Sequence, residues 1–188
     1  MKLATRRWVF GLLWGLTSTA GLWIGSFFAF ILVMGSASQW LILFAGVGFG
    51  LGAGQSFALL VCTRFNRASL WWLPLTVIGS VVGALLGFPL EEVSTVGVLA
   101  GLSLGISQWL LLGKWVGMRS LLWILVNAVT GSIAISLIDR GLRASGSGTV
   151  AFVLAWAIAI LPSTFLIAWL MPIQTKPSSN EFDSLQKP

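Results

Sequence analysis

The chain has 188 residues, of which 57% are hydrophobic and 9% charged, where a soluble domain carries about a quarter charged residues. So little polar surface excludes a water-soluble globule and makes lipid the solvent for most of the area. The net charge of +6 does not point to nucleic acid, because the basic residues sit at the ends of apolar runs and form no basic domain.

Six apolar runs have about the length that a membrane-crossing helix needs, about 20 residues. The first covers 8–34. It follows MKLATRR and contains TSTA, a superficial signal-peptide pattern, but the apolar run continues through LWIGSFFAFILVM, as a retained helix requires. The second run covers 38–62 and ends at the polar, basic stretch TRFNRAS. The third, 70–88, stops before PLEEVST, which opens with a proline and carries two acids. The fourth covers 93–113 and the fifth 121–138, followed by the charged, Gly/Ser-rich DRGLRASGSG. The sixth covers 149–171 and carries Pro162, a kink site, and Ser163 and Thr164. The polar residues 172–188 are expected to form a flexible cytoplasmic tail.

The basic residues set an orientation. With the N-terminus inside, Lys2, Arg6, Arg7, Arg64, Arg67, Lys114, Arg119, Lys176 and Lys187 all face the cytoplasm, and only Arg140 and Arg143 lie outside. The expected location is a bacterial inner or thylakoid membrane, with the protein multi-pass and both termini cytoplasmic. Trp8, Trp71, Trp72, Trp115, Trp123 and Trp169 then fall near the inner interface, where amphipathic rings anchor a helix.

The second and fourth runs share the pattern G-x-x-x-G-x-x-Q. Gly48, Gly52 and Gln55 align with Gly101, Gly105 and Gln108, and Trp72 and Gly79 correspond to Trp123 and Gly131 within a residue or two. A weaker third copy holds Ala155, Ala159 and Pro162 at the same spacing, and the opening RRW of the first run resembles the basic-then-Trp openings of the third and fifth. The fold expected is an all-α membrane protein of six transmembrane helices, arranged as tandem hairpins with a pseudo-threefold internal repeat. Glycines four apart on one face let helix backbones approach, and a carboxamide one turn later can bond across the seam. An unpaired amide in hydrocarbon costs several kcal/mol, about 2–7, so Gln55 and Gln108 are expected to face other helices.

The run QWLLLGKWVGMRSLLWILVNAVTG resembles a family of uncharacterised bacterial integral membrane proteins common in cyanobacteria, over roughly residues 44–135. Gln108, Trp109, Leu110, Leu112, Trp123 and Gly131 match the family's repeated Gln-Trp motif, while Gly113 stands where the family has Arg, and Ser56 replaces the Trp in the first copy. The resemblance implies a polytopic helical membrane protein and brings no activity with it.

Candidate chemistry is sparse. The chain has no histidine and one cysteine, so the commonest base and metal ligand is missing and no intrachain disulfide can form. Gln55 and Gln108 serve either as interhelical contacts or as polar contacts for a solute. Asn127 either joins them or bonds a neighbouring backbone carbonyl, and Thr76 occupies the matching place in the third run. Glu91 and Glu92 share a short loop where solvent keeps both ionised, Asp139 with Arg140 reads as an interfacial pair, and no acid lies at mid-membrane depth. GFGLGAG lacks the Lys-Ser/Thr of a phosphate loop. The sequence therefore predicts a non-enzymatic accessory, scaffold or assembly subunit without cofactor or metal. Its partners would be the lipid bilayer and other membrane proteins or a second copy of itself. The alternative is a small-solute binding or transport component with a polar cavity between hairpins. Pigment or lipid binding, permitted by the many Trp and Phe residues, is a third reading.

Overall fold

A computed structural model describes residues 3–33, 39–62, 69–87, 89, 93–143 and 148–171. The Glu91–Glu92 pair, Arg64, Arg67 and the tail 172–188 lie outside the described residues. The regular elements are helical throughout: α1 (Leu3–Val33), α2 (Gln39–Cys62), α3 (Trp72–Gly87), α4 (Val93–Val116), a 3-10 turn (Gly117–Ser120), α5 (Leu121–Arg143) and α6 (Gly148–Leu170). Helices satisfy every interior N–H and C=O within one segment, which is what a chain this apolar needs in hydrocarbon.

Three helical stretches are long and apolar enough to cross a membrane, namely Thr5–Ala29, Leu41–Cys62 and Ser94–Gly141, with Trp72–Gly87 and Leu154–Leu170 shorter but apolar. The 48-residue stretch Ser94–Gly141 takes in nearly all of α4 and α5, because their junction stays helical. Gly117, at φ +70°, supplies the left-handed backbone that ends α4. The chain then doubles back, so that Gly101 of α4 lies against the backbone of Asn127 and Ala128 in α5.

Several helices outrun their apolar runs. α1 begins at Leu3, so Arg6 and Arg7 lie within its first turns and not ahead of it. It continues unbroken through Thr17–Ala20, where the hydroxyls of Thr17 and Thr19 bond the carbonyls of Leu13 and Gly15, each at 2.8 Å. α5 extends to Arg143, into the stretch expected to be loop. Asp139 there pairs with Arg143 at 2.9 Å and not with its neighbour Arg140, since residues four apart share a helical face and adjacent ones do not.

The helices form a closed ring. Each packs on its chain neighbours, and α6 returns to α1. At one end of the ring all six contribute to a single cluster: Phe10 and Trp14, Ala58 and Leu59, Trp72, Leu111 and Leu112, Trp123, and Ile167 with Met171. The outer faces carry large exposed apolar side chains such as Leu12, Leu16, Phe27, Phe49 and Leu125, a surface suited to acyl chains.

Candidate functional site

Trp72 and Trp123 stand near the starts of α3 and α5, and Trp14 in the first half of α1; all three are fully buried. They meet on the axis of the ring, with Trp14 edge-on to Trp72 and Trp123 at 5.4 and 6.1 Å between ring centres, and Trp72 and Trp123 6.3 Å apart. Trp72 and Trp123, expected to serve as interfacial anchors, are thus enclosed by other helices. Each ring turns inward because its N–H finds a glutamine there, and burial of so large a ring outweighs an interfacial seat. Trp8, Trp71 and Trp169 remain exposed.

Gln55 and Gln108 tie this cluster together. Trp72 Nε1 donates to Gln55 Oε1 at 2.7 Å, and Trp123 Nε1 donates to Gln108 Oε1 at 2.9 Å. Gln108 Nε2 donates to Gln55 Oε1 at 3.0 Å and to Thr76 Oγ1 at 2.9 Å. Thr76 Oγ1 in turn donates to Trp72 O at 2.7 Å. An indole N–H only donates, so each tryptophan fixes which end of its glutamine is oxygen. That assignment leaves the Gln108 amide nitrogen facing Gln55 Oε1, and the network is polarised in one sense. Both carboxamides are buried, Gln108 completely.

The glycines expected to form seams do so in matching pairs. A Cβ on Gly52 would meet Leu73 and Thr76 of α3, and one on Gly48 would meet Val77 and Ser80. A Cβ on Gly105 would meet Ile124 and Asn127 of α5, and one on Gly101 would meet Asn127 and Ala128. The α2–α3 seam thus has its counterpart in the α4–α5 seam. Asn127 occupies the place of Thr76, but it bonds backward to Trp123 O at 2.8 Å and stays out of the glutamine network.

The α6–α1 seam departs from this pattern. Gly11 and Gly15 pack against Thr164 and Ala168, and no glutamine lies on α6. Trp14 Nε1 is buried without a hydrogen-bond partner, as are Ser18 Oγ and Thr164 Oγ1. Ser163 bonds back to Ile160 O at 2.8 Å, on the turn before the proline.

Beyond the network the ring is hollow. A cavity of about 110 Å³ is lined by residues of all six helices, its polar groups being Gln55, Ser80, Asn127, Thr130, Trp156 and Ser163. Thr130 Oγ1 already donates to Val126 O at 2.7 Å. A wider groove of about 760 Å³ runs between α1 and α2 and is almost wholly apolar. Its one hydroxyl, Thr17, is bonded to its own helix, so the groove offers no polar group for solute recognition.

Sequence reasoning missed the role of Trp14 and the partnership of each glutamine with a tryptophan. Trp14, Trp72 and Trp123 all occur in the first halves of the odd-numbered runs, a placement that fits an interfacial anchor as well as a core aromatic and so does not reveal the pairing. In comparisons with family models, curated proteins and solved structures the chain finds no match. The class that fold and site define is an all-helical protein with apolar helices long enough to cross a membrane.

Proposed function

We propose that this chain is a non-enzymatic, multi-pass membrane protein that acts as an accessory, scaffold or assembly subunit through helix–helix contacts. In this reading its six helices are all spans, arranged as three tandem hairpins about a pseudo-threefold axis, with both termini cytoplasmic. The observation that carries it is the use of the glutamines. Gln55 Oε1 accepts from Trp72 Nε1 and Gln108 Nε2, and Gln108 Oε1 accepts from Trp123 Nε1, so the buried amides bind helices to helices. The resemblance of residues 44–135 to bacterial polytopic membrane proteins accords with it, as does the meeting of three tryptophans from three hairpins.

A second reading, a small-solute component, is favoured by the central cavity, where Ser80, Asn127 and Ser163 face a volume of about 110 Å³. The double variant Gln55→Leu with Gln108→Leu separates the two. Under the scaffold reading the protein loses thermal stability or assembly in detergent. Under the solute reading it folds, and ligand-dependent stabilisation disappears. Native purification followed by identification of co-purifying chains tests the scaffold directly. A protein that purifies alone and changes its melting temperature with a metabolite would overturn it.

A further inference from the structure

We infer that the cleft between Arg7 and Arg119 binds the phosphate of an anionic phospholipid headgroup. The inference rests on the membrane reading but not on the scaffold role. The cleft has a volume of about 330 Å³ and is lined by Arg7 of α1, Trp115 and Val116 of α4, Arg119 of the 3-10 turn, and Trp169 and Leu170 of α6. That volume lies in the range of small-molecule sites, about 300–1,000 Å³.

Two observations point to an anion. Arg7 is half-buried, and its Nε is enclosed without a hydrogen-bond partner. Asp139 is the one acid among the described residues, and it sits near the far end of α5, paired with Arg143. The guanidinium groups of Arg7 and Arg119 therefore have no described carboxylate beside them. A planar guanidinium matches phosphate oxygens two at a time, and basic pockets between membrane helices recognise anionic headgroups.

The surroundings favour a lipid as the source of that phosphate. The cleft lies where α1 begins and α4 and α6 end, at the margin of the apolar bundle. Trp169 is exposed at its rim, and Trp115 is held from behind by stacking on the buried Trp72, with 6.3 Å between centres. Directly alongside, Trp8 and Phe165 make an exposed edge-to-face pair at 5.8 Å. Trp8 follows Arg7 in α1 and Phe165 lies one turn before Trp169 in α6, so this apolar pair adjoins the cleft on the side where the acyl chain of a bound headgroup would run.

The test is native mass spectrometry of the full chain in nonionic detergent, titrated with phosphatidylglycerol, phosphatidylcholine or inorganic phosphate. The full chain keeps Glu181 and Asp183 present during the titration. Phosphatidylglycerol is expected to be retained about tenfold better than phosphatidylcholine. Arg7→Gln and Arg119→Gln should each weaken it about fivefold, Arg7→Lys should weaken it less, and Arg143→Gln should leave it unchanged. Should Arg7→Gln fail to fold, Arg119→Gln on the exposed turn carries the test. Equal retention of the two lipids, or no loss in either arginine variant, overturns the proposal. Binding of inorganic phosphate with the same arginine dependence, and none of lipid, assigns the site to a soluble phosphate and overturns the lipid source. Recovery of the chain in the soluble fraction without detergent would sink the membrane reading separately.

Discussion

The two ends of the helical ring use buried polar groups in opposite ways. At the end where α1, α3 and α5 begin, three indoles fill the axis, and two carboxamides bond to two of them and to each other. At the other end the axis is a cavity, and its hydroxyls and Asn127 bond mainly to their own helices. Side chains that bond across helices fix which helices are neighbours. Those that bond backward leave the spacing to glycine and alanine contacts. The filled end therefore specifies the assembly, and the hollow end tolerates variation.

Five substitutions sharpen or break that contrast. The largest effect is expected from Gly101→Val, because a Cβ at Gly101 would collide with the backbone of Asn127 in α5. Overpacking against backbone should cost about 3 kcal/mol, read as loss of the monodisperse peak in detergent chromatography. Gln108→Leu comes next. It strands the Trp123 N–H and removes both donations from Nε2, which should lower unfolding free energy by about 1–3 kcal/mol in a denaturant titration. A stability equal to that of the parent would remove the network from the account of the fold.

Trp14→Phe is a finer probe. The Trp14 N–H has no partner, so its loss costs only ring volume, whereas Trp123→Phe also breaks a bond to Gln108. Trp14→Phe should be the milder by about 1 kcal/mol in thermal melts; the reverse order would show that the indoles act by packing alone. The smallest effect belongs to Ala134→Val in the cavity wall. Added methyls enter free space there, and the midpoint of denaturation should move by less than about 1 kcal/mol equivalent.

Much of this was legible in the residues. The helical runs followed from apolar length, and the glycine seams from the four-residue spacing of Gly48 with Gly52 and Gly101 with Gly105. The inward direction of Gln55 and Gln108 followed from the penalty on an exposed amide in hydrocarbon. The pairing of amide with indole was not legible. A tryptophan at a helix head satisfies the rule for interfacial anchors as well as the rule for core aromatics, and sequence spacing does not separate them. Ending the fifth run at 138 sets Asp139 beside Arg140; α5 continues to Arg143, and helical geometry puts Asp139 against it.

By itself the sequence determined the apolar character, the helical state and the faces that approach closely, because hydropathy and residue size act locally along each segment. The tertiary structure decided which donor meets which acceptor, that Trp14 stands on the axis without one, and where the ring is filled or hollow. Those outcomes depend on the closure of α6 onto α1, a relation between residues more than a hundred positions apart that no local pattern encodes.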